Sequence, residues 1–291
     1  MTFLSRRAAM PLLLCLMAVP SVVLAQNDVT SPVLLFKSEL LKPGRAGTHE
    51  KTEAAYAAVA KAGKAPFHYI ALTSMNGPDR ALFIAGYPTF AAALEAQDNM
   101  GARNPSLGAA LDHALAADGD LLTSTVTSQW MHRPELSLHD DGNLVGVRYI
   151  ETQEVFVKPG REQEVDEWFK MYAAAYKNVP SANWTAYQQT YGPNLNTFLF
   201  VTRMKALPET DAEWVVNYAL FKTREGAAEL KKIQDLEREF TELEWTNMYR
   251  ISPEMSLPSE ELIKAEPNFW KTTPAAVAKK PAPAPATASK P

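Results

Sequence analysis

The stretch Lys42-Pro43-Gly44-Arg45 decides the fold, because it returns 116 residues later as Lys158-Pro159-Gly160-Arg161. At the same spacing, Tyr56-Ala57-Ala58 returns as Tyr172-Ala173-Ala174. Two further matches follow in the same order, at offsets of 115 and 119 residues: Gly77-Pro78 with Gly192-Pro193, and Pro134 to Leu138 with Pro253 to Leu257. Matches in a fixed order, with an offset that drifts by only a few residues, predict two copies of one domain.

Residues 1–25 have the features of a secretory signal peptide. Arg6-Arg7 precedes an apolar run, and Val23-Leu24-Ala25 supplies the small residues at which signal peptidase cuts. The run is short and broken by two prolines, so it does not predict a membrane-spanning helix. The arginine pair also fits the twin-arginine export route, and the route stays open. We therefore expect a periplasmic or secreted protein that does not span the membrane.

Cleavage after Ala25 would remove Cys15, the only cysteine of the 291 residues. Disulfides, thiolate metal sites and cysteine nucleophiles are thereby excluded from the mature chain. Residues 271–291 are rich in proline, alanine and lysine, which predicts a disordered tail. Its lysines either contact anionic polymers of the cell envelope or belong to an inert extension. The net charge of −4 becomes more negative without this tail, which argues against a nucleic-acid-binding surface.

Each copy has the sequence pattern strand, helix, strand, strand, helix, strand. In the second copy, Val147 to Ile150 and Val155 to Val157 are rich in β-branched and aromatic residues and predict a strand, and the following apolar residues recur at helical spacing up to Tyr176. The polar stretch His139 to Asn143 separates the copies. The predicted domains are residues 31–138 and residues 144–258.

A βαββαβ unit that occurs twice resembles the dimeric α/β-barrel superfamily. This ferredoxin-like group holds antibiotic-biosynthesis-type monooxygenases that need no cofactor, haem-degrading enzymes and NIPSNAP-type proteins. The resemblance covers roughly residues 31–258 and rests on topology. It implies an α+β fold of two tandem ferredoxin-like domains, whose sheets face one another and form an α/β barrel within one chain. It also implies that small ligands lie between a sheet and its helices. The Asn, Trp and His that haem-degrading members use cannot be placed here by motif.

The two copies differ in polarity at one group of aligned positions. The pairs are Val165 with His49, Trp168 with Thr52, Phe169 with Glu53, Tyr172 with Tyr56, and Trp184 with His68. His49 and Glu53 are one helical turn apart and share a face of the first helix. The five residues of the first copy (His49, Thr52, Glu53, Tyr56 and His68) are therefore predicted to line a polar ligand cavity. The second copy is predicted to be a packed structural partner.

Two other interpretations of these residues stay open. His49, Glu53 and His68 could bind a divalent metal, or act as a general base and its orienter. Their spacing matches no metal motif, so neither a metal nor a cofactor is predicted. Alternatively, the helix is rotated or frayed, so that His49 and Glu53 face water while Tyr56 and Val59 pack in the core.

Three classes of function follow. The leading one is a protein that binds a small hydrophobic or aromatic molecule in the cavity of the first copy. The second is a cofactor-independent monooxygenase-like enzyme in which His49, Glu53 and His68 are the acid and base groups. The third is an envelope interaction module without a pocket. The fold alone does not choose among them, and whether the protein is an enzyme stays open.

Overall fold

The computed structural model describes residues 31–99 and 105–271. This part of the chain has an α+β fold, in which eight antiparallel strands form a closed barrel with helices packed outside it. The predicted signal peptide and nearly all of the predicted tail lie outside the described residues. Among the helices that are described, none is long and apolar enough to cross a membrane.

The two halves of the chain present the same order of elements. The first half contains β1 (Val33–Leu41), α1 (Ala46–Ala62), β2 (Tyr69–Ser74), β3 (Arg80–Tyr87), α2 (Phe90–Asn99), α3 (Pro105–Gly119) and β4 (Leu122–His132). The second half contains β5 (Tyr149–Val157), α4 (Glu162–Tyr176), β6 (Thr185–Tyr191), β7 (Thr197–Met204), α5 (Pro208–Phe221), α6 (Arg224–Phe240) and β8 (Thr241–Leu257). Two short helices follow, α7 (Glu260–Ala265) and α8 (Pro267–Trp270).

Both Lys-Pro-Gly-Arg segments make the same turn between a strand and a helix. Gly44 has a φ angle of 73° and Gly160 one of 81°, in the left-handed region that glycine tolerates best. The helices α1 and α4 begin two residues later. The repeated motif therefore specifies a repeated local conformation.

The barrel is closed by two strand pairs that join the halves. The strand order is β1-β3-β2-β8-β5-β7-β6-β4, so the four strands of each half are neighbours. Strand β2 pairs with β8, with Thr73 opposite Arg250, and β4 pairs with β6, with Trp130 opposite Gln189. Closure leaves no unpaired sheet edge at either junction, as the predicted pairing of two copies requires.

Strand β8 is longer than the sequence pattern predicts. The strand runs through Ser252-Pro253, where the sequence predicts its end because proline cannot donate to a strand ladder. The structure instead contains an irregularity at this point, where the partner of Ala71 is Ser252 and the partner of Tyr69 is Leu257. The Ala71 N–H donates to Ser256 Oγ at 2.9 Å, so a side chain replaces the missing backbone partner.

Three apolar cores stabilise the fold. One fills the barrel and combines residues of both halves, among them Phe36, Leu72, Ile150 and Tyr249. The other two lie between each sheet and its helices. Helices α7 and α8 follow the predicted boundary at residue 258 and add Leu262 and Trp270 to the barrel core.

Candidate functional site

Four buried ionisable residues meet in the first half, and we call them the acid–histidine cluster: Glu39, His49, Glu53 and Asp118. Glu39 lies on β1, His49 and Glu53 lie on the sheet-facing side of α1, and Asp118 lies near the end of α3. Each is at most 4% exposed. One nitrogen or oxygen atom from each residue lies within 4.8 Å of the corresponding atoms of the other three.

His49 is at the centre of the polar contacts in this cluster. Its Nε2 atom is 2.8 Å from Glu39 Oε2 and 3.6 Å from Asp118 Oδ1. Lys37 forms an ion pair with the other oxygen of Glu39. Thr52 Oγ1 lies 2.7 Å from Asp118 Oδ1. The cluster thus ties together β1, α1 and the end of α3.

The ionisable groups of the cluster alter one another's pKa values through their charges and hydrogen bonds. Burial alone would lower the pKa of His49, but the hydrogen bond to Glu39 and the charges of Asp118 and Glu53 outweigh it and raise this pKa. Burial alone would raise the pKa of Glu39, but the bond to His49 and the Lys37 ammonium lower it. The contacts within this pair therefore favour the charged form of each group.

Glu53 differs from the other members of the cluster in its strongly raised pKa and in its lack of a hydrogen-bond partner among the described residues. Burial raises its pKa to about 8, and the charge of Glu39 adds to this effect. Within the part of the chain that the structure describes, no hydrogen bond or ion pair reaches the Glu53 carboxyl group. The hydroxyl of Tyr69, which is only 6% exposed, also lacks a hydrogen-bond partner. Burial and the nearby charge of Glu53 raise the pKa of Tyr69.

The structure brings together four of the five residues predicted from the sequence. His49, Thr52 and Glu53 face the cluster, and Tyr56 is buried beside them, with its pKa raised to about 12 by burial and by the charge of Glu53. The alternative in which His49 and Glu53 face water is wrong, because both are buried. Whether these residues bind a ligand stays a prediction.

His68 lies apart from the cluster. Burial lowers its pKa, and the groups that act against this effect are the Leu257 backbone and the acids Glu261 and Glu260 of α7. Its Nδ1 atom has no hydrogen-bond partner. The predicted association of His68 with His49 and Glu53 is therefore wrong, because Phe67 and Tyr69 pack beside α1 while the His68 side chain lies between them on the other side, near Leu257 and α7.

The sequence comparison missed Glu39 and Asp118. Glu39 aligns with the buried Val155 of the second half, three residues before the Lys-Pro-Gly-Arg turn. Extending the comparison from α1 to the first strand would have found it. Asp118 lies four residues before β4, and the same place before β8 holds Glu237. Both are acidic, so this position shows no difference in polarity.

A cavity of about 640 Å³ lies in the second half, between the sheet and helices α4 and α5. We call it the aromatic cavity, because six rings line it: Trp168, Phe169, Tyr172, Tyr176, Trp184 and Phe200. None of the five predicted ligand residues lines it. The second half was expected to be fully packed. It is not, because no residue of α5 is buried. The large side chains of Trp214 and Tyr218 on this helix face solvent and are 75% and 74% exposed.

Many polar side chains share the cavity lining with the aromatic rings, among them Asn143, Arg203 and Lys205. Trp168 Nε1 is buried without a hydrogen-bond partner. Tyr176 donates its hydroxyl proton to Asn217 Oδ1 at 2.5 Å, which links α4 to α5. Glu151 on β5 and Glu213 on α5 both line the cavity. Burial raises the pKa of Glu151, and the charge of Glu213 raises it further.

No protein-family model and no curated protein matches this sequence. Solved structures do match its fold. An anthrone oxidase-like protein is 13% identical, with a TM-score of 0.51, over 76% of this chain and 91% of that one. A candidate monooxygenase from Fusobacterium nucleatum is 10% identical, with a TM-score of 0.50, over 77% of this chain and 93% of that one. The likeness is one of fold. It is compatible with the superfamily that the sequence resembles.

Proposed function

We propose that the protein binds a small, flat, hydrophobic or aromatic molecule in the aromatic cavity. The observation that carries this proposal is the space itself, about 640 Å³ lined by six aromatic rings. Cavities of roughly 300–1,000 Å³ with apolar walls and a few polar groups are typical of small-molecule sites. The cavity lies between a sheet and its helices, where the superfamily resemblance places ligands, but in the second half rather than the first.

The polar groups of the cavity restrict the ligand. Lys205 lines the cavity, and its ammonium group favours a hydrogen-bond acceptor on the ligand. Glu151 and Glu213 favour a donor or a basic nitrogen on the ligand, and aromatic faces also attract a cation. A planar compound that carries both an acceptor and an amine or hydroxyl group satisfies both requirements.

A monooxygenase-like reaction is the second candidate, and the candidate monooxygenase among the fold neighbours favours it. Such an enzyme needs a base beside its substrate. Glu151 lies in the cavity and has a raised pKa, so it fits this role better than His49 or Glu53, which do not line the cavity. If the wild type converts a compound bound in the cavity, and Glu151→Gln still binds this compound but no longer converts it, the protein is an enzyme rather than a binding protein.

The location and origin of the chain belong to the same proposal. The predicted signal sequence supports export to the periplasm or beyond, and the four lysines among residues 271–291 support contact with envelope polymers. The shared element order of the halves supports duplication of one ferredoxin-like unit. An interaction module without a pocket is disfavoured by the aromatic cavity.

Two substitutions on α5 test binding. Val216 lines the cavity, whereas its neighbour Val215 is 69% exposed and does not. Val216→Trp should fill part of the space and weaken binding at least tenfold, and Val215→Trp should leave it within twofold. The assay is fluorescence titration with a panel of naphthol, aminoquinoline and anthrone compounds. The proposal fails if none of the panel binds the wild-type chain below 1 mM, on the order of the weakest specific affinities, or if both variants bind equally.

A further inference from the structure

The acid–histidine cluster gathers three carboxyl groups around one imidazole in a buried site. Metal binding requires deprotonated ligands, and in that state three carboxylates, a neutral imidazole and the Lys37 ammonium give a net charge of −2. Burial of uncompensated charge is costly, so this charge needs either protons or a cation. One divalent cation would cancel it.

The donor atoms are of the kind that a transition metal prefers. Three carboxylates and one imidazole give an oxygen and nitrogen set suited to ions such as Zn²⁺ or Mn²⁺. Zinc bonds of about 2.0–2.1 Å in a tetrahedron place the ligand atoms about 3.3 Å apart. The distances from His49 Nε2 to Glu39 and Asp118, 2.8 and 3.6 Å, bracket that value.

Two unpartnered polar groups point to a missing ligand. The Glu53 carboxyl group is buried beside the other donors and accepts no hydrogen bond from the described residues. The Tyr69 hydroxyl, which is close enough to feel the charge of Glu53, is buried and also unpartnered. A hydrogen-bonded network built only for stability would be expected to satisfy such groups.

The second half shows that this place in the fold can be apolar. The residues equivalent to Glu39, His49 and Glu53 are Val155, Val165 and Phe169, and all three are buried in an apolar core. Well-packed apolar residues are often at least as stabilising as buried ionic groups. The fold therefore does not require ionisable residues at these positions. Their presence in the first half favours a role in binding an ion.

We infer that the acid–histidine cluster is a binding site for one divalent transition-metal ion, with Glu39, His49, Glu53 and Asp118 as its ligands. The inference is independent of the proposed function, because the cluster and the aromatic cavity lie in different halves and share no residue.

The test uses the chain without residues 1–25, treated with a chelator and titrated with Zn²⁺ or Mn²⁺ in a calorimeter. Glu53→Gln removes one ligand, and Glu50→Gln makes the same change at an exposed position of the same helix. The wild type and Glu50→Gln should bind one ion per chain with affinities within twofold of each other. Glu53→Gln should bind at least tenfold more weakly.

A second readout guards against misfolding. The ion should raise the Tm of the wild type and of Glu50→Gln, and it should not raise that of Glu53→Gln. Asp118→Asn replaces Glu53→Gln if circular dichroism shows that the latter is unfolded. The inference is overturned if neither ion binds the wild type with a stoichiometry of one, or if a folded ligand variant binds as tightly as Glu50→Gln. Ligand binding in the aromatic cavity should be the same in all these variants.

Discussion

His49 on α1 and Glu39 on β1 form a buried pair, with His49 Nε2 2.8 Å from Glu39 Oε2. The pair joins the first helix of the first half to its first strand, where the second half has Val165 against Val155. Removal of one partner leaves a buried charge uncompensated. The pair should therefore be strongly coupled in stability measurements.

A double-mutant cycle measures this coupling. Glu39→Val and His49→Val should each lower the free energy of unfolding by about 3 kcal/mol in chelator-treated protein. The double variant should lose less than the sum, by at least about 1 kcal/mol, because neither charge is then left alone. Urea unfolding gives all four values. Additive losses would show that the two side chains do not interact energetically.

Trp270 should be essential to the barrel although it lies near the end of the described chain. It is 4% exposed and packs in the barrel core, whereas Trp214 on α5 is 75% exposed. Trp270→Ala should lower the free energy of unfolding by about 3–5 kcal/mol through loss of buried contacts. Trp214→Ala, the matched control, should change it by less than about 0.5 kcal/mol. Equal effects in urea unfolding would refute the view that α8 completes the barrel core.

Glu237 on α6 should make stability depend on pH. Burial and a hydrogen bond to Glu244 raise its pKa from 4.5 to about 7. The folded chain therefore holds this proton more tightly than the unfolded chain. Its contribution to stability is present below about pH 4.5 and is lost as the pH rises through about 7.

The loss of this contribution should make the Tm of the wild type fall as the pH rises. Glu237→Gln cannot release a proton at this position, so it should lack this part of the fall. The fall in Tm between pH 5 and pH 8 should be smaller than in the wild type by roughly 2 °C or more. Glu239→Gln changes an exposed acid two positions away on the same helix and should follow the wild type. Parallel profiles for wild type and Glu237→Gln would contradict the raised pKa.

His68 should be dispensable for both proposed sites. It is absent from the aromatic cavity and from the acid–histidine cluster, and its neighbours are Leu257 and the acids of α7. His68→Ala should leave the affinities for Zn²⁺ and for any cavity ligand within twofold of the wild-type values. A tenfold loss of either affinity in calorimetry would return His68 to the site predicted from the sequence.

Much of the fold can be predicted from the sequence, because strands and helices leave periodic patterns and the halves repeat them. The sequence pattern predicts a strand over Val33–Leu41 and helices over Pro208–Phe221 and Arg224–Phe240, and the limits of β1, α5 and α6 agree with these ranges. The end of β8 does not, because the irregularity after Pro253 depends on the Ser256 hydroxyl, which has no signal in a strand pattern. A long-range contact decided that boundary.

The sites were harder to predict than the fold. The polarity comparison found His49 and Glu53, because their counterparts are apolar. It could not find Asp118, whose counterpart is also acidic. The sequence did not predict the aromatic cavity, because large apolar residues at core positions predict a filled core. Only the position of α5, which leaves no residue buried, shows that the core is open.

The β2–β8 and β4–β6 pairs join two similar four-stranded halves of one barrel in a single polypeptide. Had two identical subunits formed this barrel, every substitution would have appeared twice. A charged cluster in one subunit would then always have a second, rotation-related copy in the other. A single chain has no such symmetry. One side can keep ionisable groups between helix and sheet while the other keeps an open aromatic space, so each side is free to change its chemistry without disturbing the other.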